Sequence, residues 1–194
     1  PVEPLRPYRE LEPEPAFDRD AMLALLDGKY ASMHQEVREL LSAPIFEYYR
    51  ELPKDEFREK VLEWLQVVAD AGIGRKAYPD YTKDSPDMGE FCAAFESLAY
   101  FDISLVIKFG VQFGLFGGSI YFLGTDKHHK KYLDGAASLE IPGCFAMTET
   151  GHGSNVQALG TVATYDVATQ EFVITTTRED ARKDYIGNAA AQIV

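Results

Sequence analysis

The chain has 194 residues, with 31 Asp and Glu against 19 Lys and Arg and a net charge of -12. Because domains usually hold about 100–200 residues, this length fits one domain, or one domain and part of another. The excess of negative charge would repel a phosphate backbone, which argues against nucleic acid as a partner. Cys92 and Cys144 lack the spacing of metal or redox motifs, which excludes zinc ribbons and disulfide-stapled scaffolds. Two buried thiols are expected.

The two ends of the chain are unusual for a complete protein. The sequence opens at Pro1 without an initiator Met or a signal segment, and it closes at Val194 in the middle of a pattern. We therefore expect a piece of a longer protein. Prolines recur among charges over residues 1–17, and they predict an extended lead-in, because proline disrupts both helices and central strands.

Apolar residues at three- and four-residue steps predict four helices after this lead-in. Asp18 can cap the first helix, which stops at Gly28. The second helix ends before Pro44, the third runs to Gly72, and the fourth begins with Ser85 as its cap. The side chains predicted to pack in the core are Met22, Leu25 and Leu26; Tyr30, Met33, Val37, Leu40 and Leu41; Phe57, Val61, Trp64, Leu65 and Val68; and Met88, Phe91, Cys92, Phe95, Leu98 and Ala99.

Residues 103–123 are mostly apolar and match the length of a membrane span. They also contain glycines at four-residue spacing, a pattern typical of helices that cross closely. Lys108 and Gln112 lie near the middle of the segment, and the amphipathic helices before it need an apolar surface to cover. We therefore predict no membrane span but a central helix that is buried on all of its sides within a helical domain.

A short basic segment follows this helix. Thr125 is the predicted cap of a helix over residues 126–131 that ends near Gly135. His128 and His129 are adjacent and point to different sides of a helix, whereas a two-histidine metal face needs a spacing of four residues. No metal site is predicted. The segment is either a solvated face or a local anion site in an acidic protein.

The pattern changes at Gly143. Cys144–Met147 is a short apolar run that predicts a strand. Residues 161–165 and 171–175 alternate with β-rich side chains, and the connection between them has the length of a hairpin loop.

The order of these elements predicts an α+β fold. An N-terminal all-helical domain covers residues 1–141, and residues 142–194 begin a middle antiparallel β-domain that is incomplete in this chain. About fifty residues of β-rich sequence are too few to close a barrel or a sandwich.

Polar residues and two glycines occupy the loop Met147–Asn155, between the first predicted strand and the hairpin. Its backbone N–H groups could face a ligand, with the hydroxyls of Thr148 and Ser154 as further donors. The loop is not a phosphate-binding P-loop, a dinucleotide-binding glycine motif or a nucleophile elbow. From the pattern alone, a hydrophilic turn and a ligand loop both remain open.

The run Cys144–Val156, followed by residues 161–166 and 169–174, resembles the acyl-CoA oxidase branch of the acyl-CoA dehydrogenase superfamily. Leu98–Asp102 and residues 124–133 are similar to the helices that precede this loop in that family. The dehydrogenase branch usually has Thr-Glu-Pro-Gly-x-Gly-Ser-Asp in the loop. His152 and Asn155 therefore side with the oxidases.

The resemblance implies a helical domain, a middle β-domain and a C-terminal helical bundle, which this chain lacks, with FAD and the acyl thioester between them. Thr148 would hydrogen-bond the pyrimidine edge of the flavin, and Met147 beside it would also contact the cofactor. Ser154 would face the CoA part of the substrate or the cofactor phosphates. A strand near Asp184 would carry Gly187, the position where the flavin approaches closely. The family commonly has Trp before that glycine, whereas this chain has Ile186.

The implied reaction is the FAD-dependent oxidation of a fatty acyl-CoA to the trans-2-enoyl-CoA, with O2 as electron acceptor and H2O2 as product. The catalytic base is expected from the C-terminal bundle beyond Val194, so no catalytic residue is assigned and the chain alone should be inactive. Glu149 is expected to be structural. The family also implies a homodimer, in peroxisomes of a eukaryote or the cytoplasm of a bacterium. Two alternatives stay open: a dehydrogenase that passes electrons to a flavoprotein, and a non-catalytic helical interaction module.

Overall fold

The computed structural model describes residues 17–47, 52–78 and 88–189. Residues 1–16 of the lead-in predicted over residues 1–17, and the predicted helix cap Ser85, lie outside these ranges. The helices are α1 (Arg19–Asp27), α2 (Ala31–Leu41), α3 (Lys54–Asp70), α4 (Gly89–Phe101), α5 (Ile103–Leu123) and α6 (residues 126–138), and the strands are β1 (Thr161–Asp166) and β2 (Glu171–Thr176). The predicted α+β order, helices followed by two antiparallel strands, is confirmed.

Helix α1 begins and ends as predicted, but it does not join the core. The Asp18 carboxylate accepts a hydrogen bond from the Ala21 amide at 3.0 Å, and Gly28 ends the helix at φ 53°. Leu25 and Leu26 are 75% and 73% exposed, so their predicted packing role is wrong. The periodicity correctly predicts a helix here. No described element covers its apolar face, since α1 lies at the edge of the helical layer.

The core lies where α2, α3, α4 and α5 meet. The largest fully buried side chains include Trp64, Phe109, Phe113 and Leu98. Phe109 packs edge-on against Phe113 with ring centroids 5.0 Å apart, and the indole N–H of Trp64 donates to the Ile45 carbonyl at 2.7 Å. Because each such side chain contributes about 1.5–3 kcal/mol on burial, these helices form the stable part of the chain.

The buried face of α4 is shifted from the predicted one. Ala93, Ala94, Ser97 and Leu98 are buried, whereas Cys92 is exposed. Cys144, in the segment after Gly143, is exposed too, so the prediction of two buried thiols is wrong. The small side chains of α4 allow α2 to pack closely, and the Ser97 hydroxyl lies 2.7 Å from Nδ1 of His34 on α2.

Helix α5 is buried on one side only, so the prediction of burial on all sides is wrong. Leu105, Val106, Phe109 and Phe113 pack inward. The exposed apolar residues of the helix are Ile103, Ile107, Leu115, Phe122 and Leu123. Its composition would suit a membrane span, with a mean hydropathy of 1.5 and 39% of its most apolar stretch buried. Core helices of soluble proteins meet the same criterion.

The glycines of α5 receive aromatic rings from α4. A Cβ built on Gly110 would lie 2.8 Å from the ring of Phe95, and one built on Gly114 would lie 3.2 Å from the ring of Phe91. The middle of the helix, Gly110–Gly117, is wound in the wider π form. The predicted close approach at these glycines is therefore made by α4 side chains.

Helix α6 is longer than predicted and ends at Ser138, where Leu139 adopts a left-handed conformation at φ 66°. The helix continues through Gly135, which is buried and packs against the side chain of Ile141. Thr125 is the cap, as predicted, and its amide donates to Nδ1 of His128 at 3.1 Å.

The predicted hairpin is confirmed, and the register pairs Ala163 with Ile174 at its centre. The Asp166 carboxylate accepts the amide of Ala168 at 2.8 Å and thereby shapes the connection. Cys144–Met147 forms no strand, and the Met147 amide donates to the Phe145 carbonyl at 3.1 Å, so that predicted strand is wrong. The segment around Asp184 forms a bend and a turn, so the second predicted strand is also wrong. Both runs are too short to pair without a neighbouring strand.

Candidate functional site

The Met147–Asn155 loop is built around the carboxylate of Glu149. This side chain is 2% exposed and is one of the few buried acidic groups in the described part of the chain. Its oxygens accept hydrogen bonds from the Gly160 amide at 2.8 Å, from the Thr161 amide at 2.9 Å and from the Thr161 hydroxyl at 2.8 Å. The loop is thereby fastened to the first residue of β1.

Lys183 supplies the positive charge for this carboxylate. Its Nζ donates to Glu149 at 3.2 Å and to the carbonyl of Met147 at 2.8 Å. The hydrogen bond from the Gly160 amide, followed by those from Thr161 and Lys183, lowers the pKa of Glu149 to about 2 against the opposing effect of burial. Glu149 is therefore ionised at neutral pH, and its contacts are those of a structural anion.

The same contacts bring the two predicted flavin-binding stretches together. The Asp184 amide donates to the carbonyl of Thr148 at 3.3 Å, and Glu149 and Lys183 form an isolated antiparallel bridge. Residues 148–150 of the loop therefore run alongside residues 182–184. Lys183 was not identified from the sequence, where nothing distinguished it from other surface lysines.

Two backbone amides of the loop already donate hydrogen bonds within the protein. The Thr150 amide donates to the Arg182 carbonyl at 2.9 Å, and the Gly151 amide donates to the Asp180 carbonyl at 2.8 Å. A Cβ built on Gly151 would lie 3.0 Å from the Asp180 carbonyl, so a larger residue here would require that carbonyl to shift. These two N–H groups cannot serve a ligand, in contrast to the expectation that the loop amides face one.

The structure places the four predicted site residues as follows. Thr148 is half-buried, and Met147 and Ser154 are exposed at the surface of the loop. The hydroxyls of Thr148 and Ser154 have no hydrogen-bond partner among the described residues. Gly187 lies exposed in a turn, where a Cβ would come 3.1 Å from Cγ2 of Val111 on α5. Thr148 and Gly187 thus lie on neighbouring segments that both remain open to a ligand.

Gln112 joins this site to the helical layer. Its buried amide nitrogen donates to the carbonyls of Ala136 at 2.9 Å and Ile141 at 3.1 Å, and its oxygen accepts the Gly143 amide at 2.9 Å. The side-chain amide of Asn188 donates from Nδ2 to the Gly143 carbonyl at 3.3 Å. Gln112, noted in the sequence only as a polar residue in an apolar helix, therefore fixes the start of the segment that leads to the loop.

The remaining polar clusters do not suggest a second centre. Nε2 of His129 lies 2.9 Å from the carbonyl of Tyr121, and His128 caps its own helix. Within residues 17–47, 52–78 and 88–189, no group of three or more His, Cys, Asp or Glu side chains could hold a metal ion.

Comparison with known proteins identifies the family. Residues 29–140 match the family described as "Acyl-CoA dehydrogenase, N-terminal domain". The chain belongs to this family. Acyl-coenzyme A oxidase 2, peroxisomal, of Arabidopsis thaliana is 41% identical over 173 residues, which cover 88% of this chain and 24% of the relative.

Solved structures of acyl-CoA oxidases share the fold. Acyl-CoA oxidase 1 of Yarrowia lipolytica gives a TM-score of 0.71 at 26% identity, covering 87% of this chain and 24% of that chain. Acyl-CoA oxidase 3 of the same organism gives 0.69 at 32% identity, covering 90% and 25%. Acyl-CoA oxidase 2 of Caenorhabditis elegans, described as bound with FAD, ascaroside-CoA and ATP, gives 0.55 at 27%, covering 88% and 25%. The chain spans about a quarter of the length of these relatives.

Proposed function

We propose that this chain belongs to an FAD-dependent acyl-CoA oxidase, which converts a fatty acyl-CoA and O2 to the trans-2-enoyl-CoA and H2O2. In this proposal residues 1–141 are the N-terminal helical domain and residues 142–194 begin the middle β-domain. The observation that carries it is the free hydroxyl of Thr148 beside the 183–187 segment, in a chain whose relatives are named acyl-CoA oxidases.

The donor set of the loop fits a flavin. The half-buried Thr148 hydroxyl can donate to a ring edge that gains negative charge on reduction, and Met147 offers an apolar neighbour. Gly187 lacks a side chain where the cofactor would approach, and the exposed Ser154 hydroxyl can reach a phosphate or the CoA moiety. When bound, FAD would take the substrate β-hydrogen as hydride and pass the two electrons to O2.

Removal of the α-proton requires a base that these residues do not supply. Glu149 is the acidic group of the loop, but its pKa is about 2, and its carboxylate already accepts hydrogen bonds from several groups. It is therefore a very weak base. We propose that the base comes from a C-terminal helical bundle outside residues 1–194. The 194-residue chain alone is then expected to be inactive.

Cell location and assembly follow from the same proposal. Relatives from Arabidopsis thaliana carry the name peroxisomal. We place the protein in peroxisomes if its source is a eukaryote and in the cytoplasm if it is a bacterium, as a homodimer. Packing of α5 against α3 and α4 supports a domain helix over a membrane span, because Leu105, Phe109 and Phe113 already lie in the core.

The test is to purify the full-length protein, record its visible spectrum and measure H2O2 formed per acyl-CoA consumed. We expect a flavin spectrum and one H2O2 per enoyl-CoA. A flavin spectrum with turnover that depends on an added electron acceptor and yields no H2O2 would support the dehydrogenase alternative. A colourless protein that takes up no added FAD would overturn the enzyme assignment in favour of a helical interaction module.

A further inference from the structure

Lys183 makes a second contact that its role as the counter-ion of Glu149 does not require. Its Nζ lies 2.8 Å from the carbonyl oxygen of Met147 and 3.2 Å from the Glu149 carboxylate, so the shorter hydrogen bond goes to the neutral acceptor. The Lys183 side chain is 24% exposed, whereas that of Glu149 is 1% exposed. Lys183 therefore binds the backbone of the loop as well as its buried anion.

The contact with the Met147 carbonyl fixes the direction of the next amide. The Met147 carbonyl and the Thr148 N–H belong to one planar peptide unit, and the described peptide bonds are all trans. In a trans peptide the C=O and N–H bonds point to opposite sides. Because Lys183 lies on the carbonyl side, the Thr148 N–H points away from it. That N–H makes no hydrogen bond with any described residue.

Two further contacts hold Thr148 in place. The Asp184 amide donates to the Thr148 carbonyl at 3.3 Å, so Lys183 and Asp184 bind two successive carbonyls of the loop. A Cβ built on Gly153 would lie 3.5 Å from the methyl group of Thr148, which places that methyl group towards Gly153. The methyl and hydroxyl groups share one Cβ, and a threonine side chain has few χ1 rotamers, so the hydroxyl is directed as well. Thr148 is left with two donors, its amide and its hydroxyl.

Glu149 holds a different part of the loop. Its carboxylate accepts the amides of Gly160 and Thr161, and these bonds fasten residue 149 to the start of β1. They place no hydrogen bond on the Met147–Thr148 peptide. Among the described residues, Lys183 is the group that donates to the Met147 carbonyl. Loss of its ammonium group would leave this peptide free to rotate while the bonds at Glu149 remain.

We propose that Lys183 is a positioning residue for the flavin: it holds the Met147–Thr148 peptide so that the Thr148 amide and hydroxyl donate together to the ring edge. This inference rests on the proposed oxidase function. Two donors that are directed before the ligand arrives bind it more tightly, because less conformational freedom is lost on binding. The same donors stabilise the negative charge that the ring edge gains on reduction. If Lys183 served only as the counter-ion of Glu149, neither effect would depend on its bond to Met147.

The test measures FAD affinity and flavin potential in the full-length protein. For Lys183→Met we expect the dissociation constant for FAD, from titration of the flavin-free protein, to rise at least about tenfold. The midpoint potential of the bound flavin should become more negative, because the reduced ring loses directed donors. Arg182→Met is the matched control. It also removes one positive charge, but the Arg182 side chain pairs with the exposed Glu179 at 2.7 Å rather than with the loop, so both values should stay as in wild type.

A double-variant comparison separates positioning from charge neutralisation. Glu149→Gln removes the buried charge, so a lysine that acts only as a counter-ion has no further role in that background. We expect Glu149→Gln/Lys183→Met to bind FAD at least about tenfold more weakly than Glu149→Gln alone. Neither protein contains the unpaired buried anion that would destabilise Lys183→Met. Thermal unfolding of the flavin-free forms checks that both are folded.

An unchanged FAD affinity and potential in Lys183→Met would overturn the inference. Equal FAD affinities of Glu149→Gln and Glu149→Gln/Lys183→Met would overturn it as well and assign Lys183 the role of a counter-ion. Both results leave the oxidase proposal intact, because the wild-type protein would still bind flavin and form H2O2. A wild-type protein that takes up no FAD would overturn the oxidase proposal and this inference together.

Discussion

The Glu149 carboxylate accepts a 2.8 Å hydrogen bond from the Gly160 amide, eleven positions later in the chain. This bond ties the Met147–Asn155 loop to the residues just before β1. Gly160 is buried, and a Cβ built there would lie 2.7 Å from Cβ of Ala181. A single buried anion thus organises the loop, the start of β1 and, through Lys183, the 183–187 segment. The arrangement leads to a prediction on pH.

The folded-state pKa of Glu149 is about 2, below the usual value of 4.5. A lowered carboxylate pKa stabilises the folded state above the unfolded pKa, so this contribution is complete above about pH 5 and is lost as the pH falls towards 2. Urea unfolding at several pH values should show this loss. The Glu149→Gln variant should have a lower free energy of unfolding than wild type at pH 7. Its free energy of unfolding should also change less as the pH falls. Glu171→Gln, at an exposed site, should behave as wild type, and an unchanged acid profile in Glu149→Gln would contradict the assignment.

Thr148→Val should lower the flavin midpoint potential and slow reduction by substrate. The lost hydrogen bond to a charge-bearing ring edge corresponds to about 1–3 kcal/mol. Thr150→Val is the matched control, since the Thr150 hydroxyl makes only a long contact of 3.4 Å with the Glu179 carbonyl. Potentiometry and rapid reduction kinetics measure both quantities. Equal potentials in Thr148→Val and wild type would contradict the proposed role.

Gly117→Ala should destabilise the helical layer. A Cβ at this position would lie 1.7 Å from the Tyr78 hydroxyl, whose burial raises the pKa of that group. Overpacking of this kind costs about 1–3 kcal/mol. Gly118→Ala on the next residue meets nothing closer than 3.8 Å and should be neutral or stabilising. Thermal unfolding of the two variants compares them directly, and equal melting temperatures would show that Tyr78 moves away at little cost.

Charge reversal at Lys130 and Lys131 should leave KM for acyl-CoA unchanged. Both side chains are exposed on α6, and Lys131 lies over the ring of its neighbour Tyr132 at 4.8 Å. This is the result expected of a solvated face. A several-fold rise in KM that disappears at high salt would instead identify the local anion site left open by the sequence.

The helices could be predicted from the sequence because their signals are local. The Asp18 cap and the periodicity of α2 and α3 define segments that the structure contains. The buried face of α4 could not be predicted in this way, since Cys92 and Ala94 are both apolar. Only the close approach of α2 decides that the smaller Ala94 is buried and that Cys92 is exposed. The exposed faces of α1 and α5 were missed for a related reason. An apolar stripe predicts that a face can be covered, whereas its coverage depends on other parts of the fold.

The candidate site was predictable where it followed the motif. Thr148, Met147, Ser154 and Gly187 came from family resemblance, and their roles remain predictions. The positions of Lys183 and Gln112 could not be predicted, because their hydrogen bonds join segments that are distant in sequence. Lys183 donates to Met147, 36 positions away, and Gln112 bonds Ala136 and Gly143, 24 and 31 positions away. Such contacts depend on tertiary structure that local patterns do not encode.

The β1–β2 hairpin has a further consequence for how the chain opens. Its strands pair only with each other among the described residues, and Val162, Phe172 and Ile174 are exposed. A two-stranded hairpin is marginal by itself in water. Amide hydrogen exchange should therefore be fast throughout β1 and β2 and slow in α4 and the inner turns of α5, so that the chain opens from its C-terminal end while its helices stay protected.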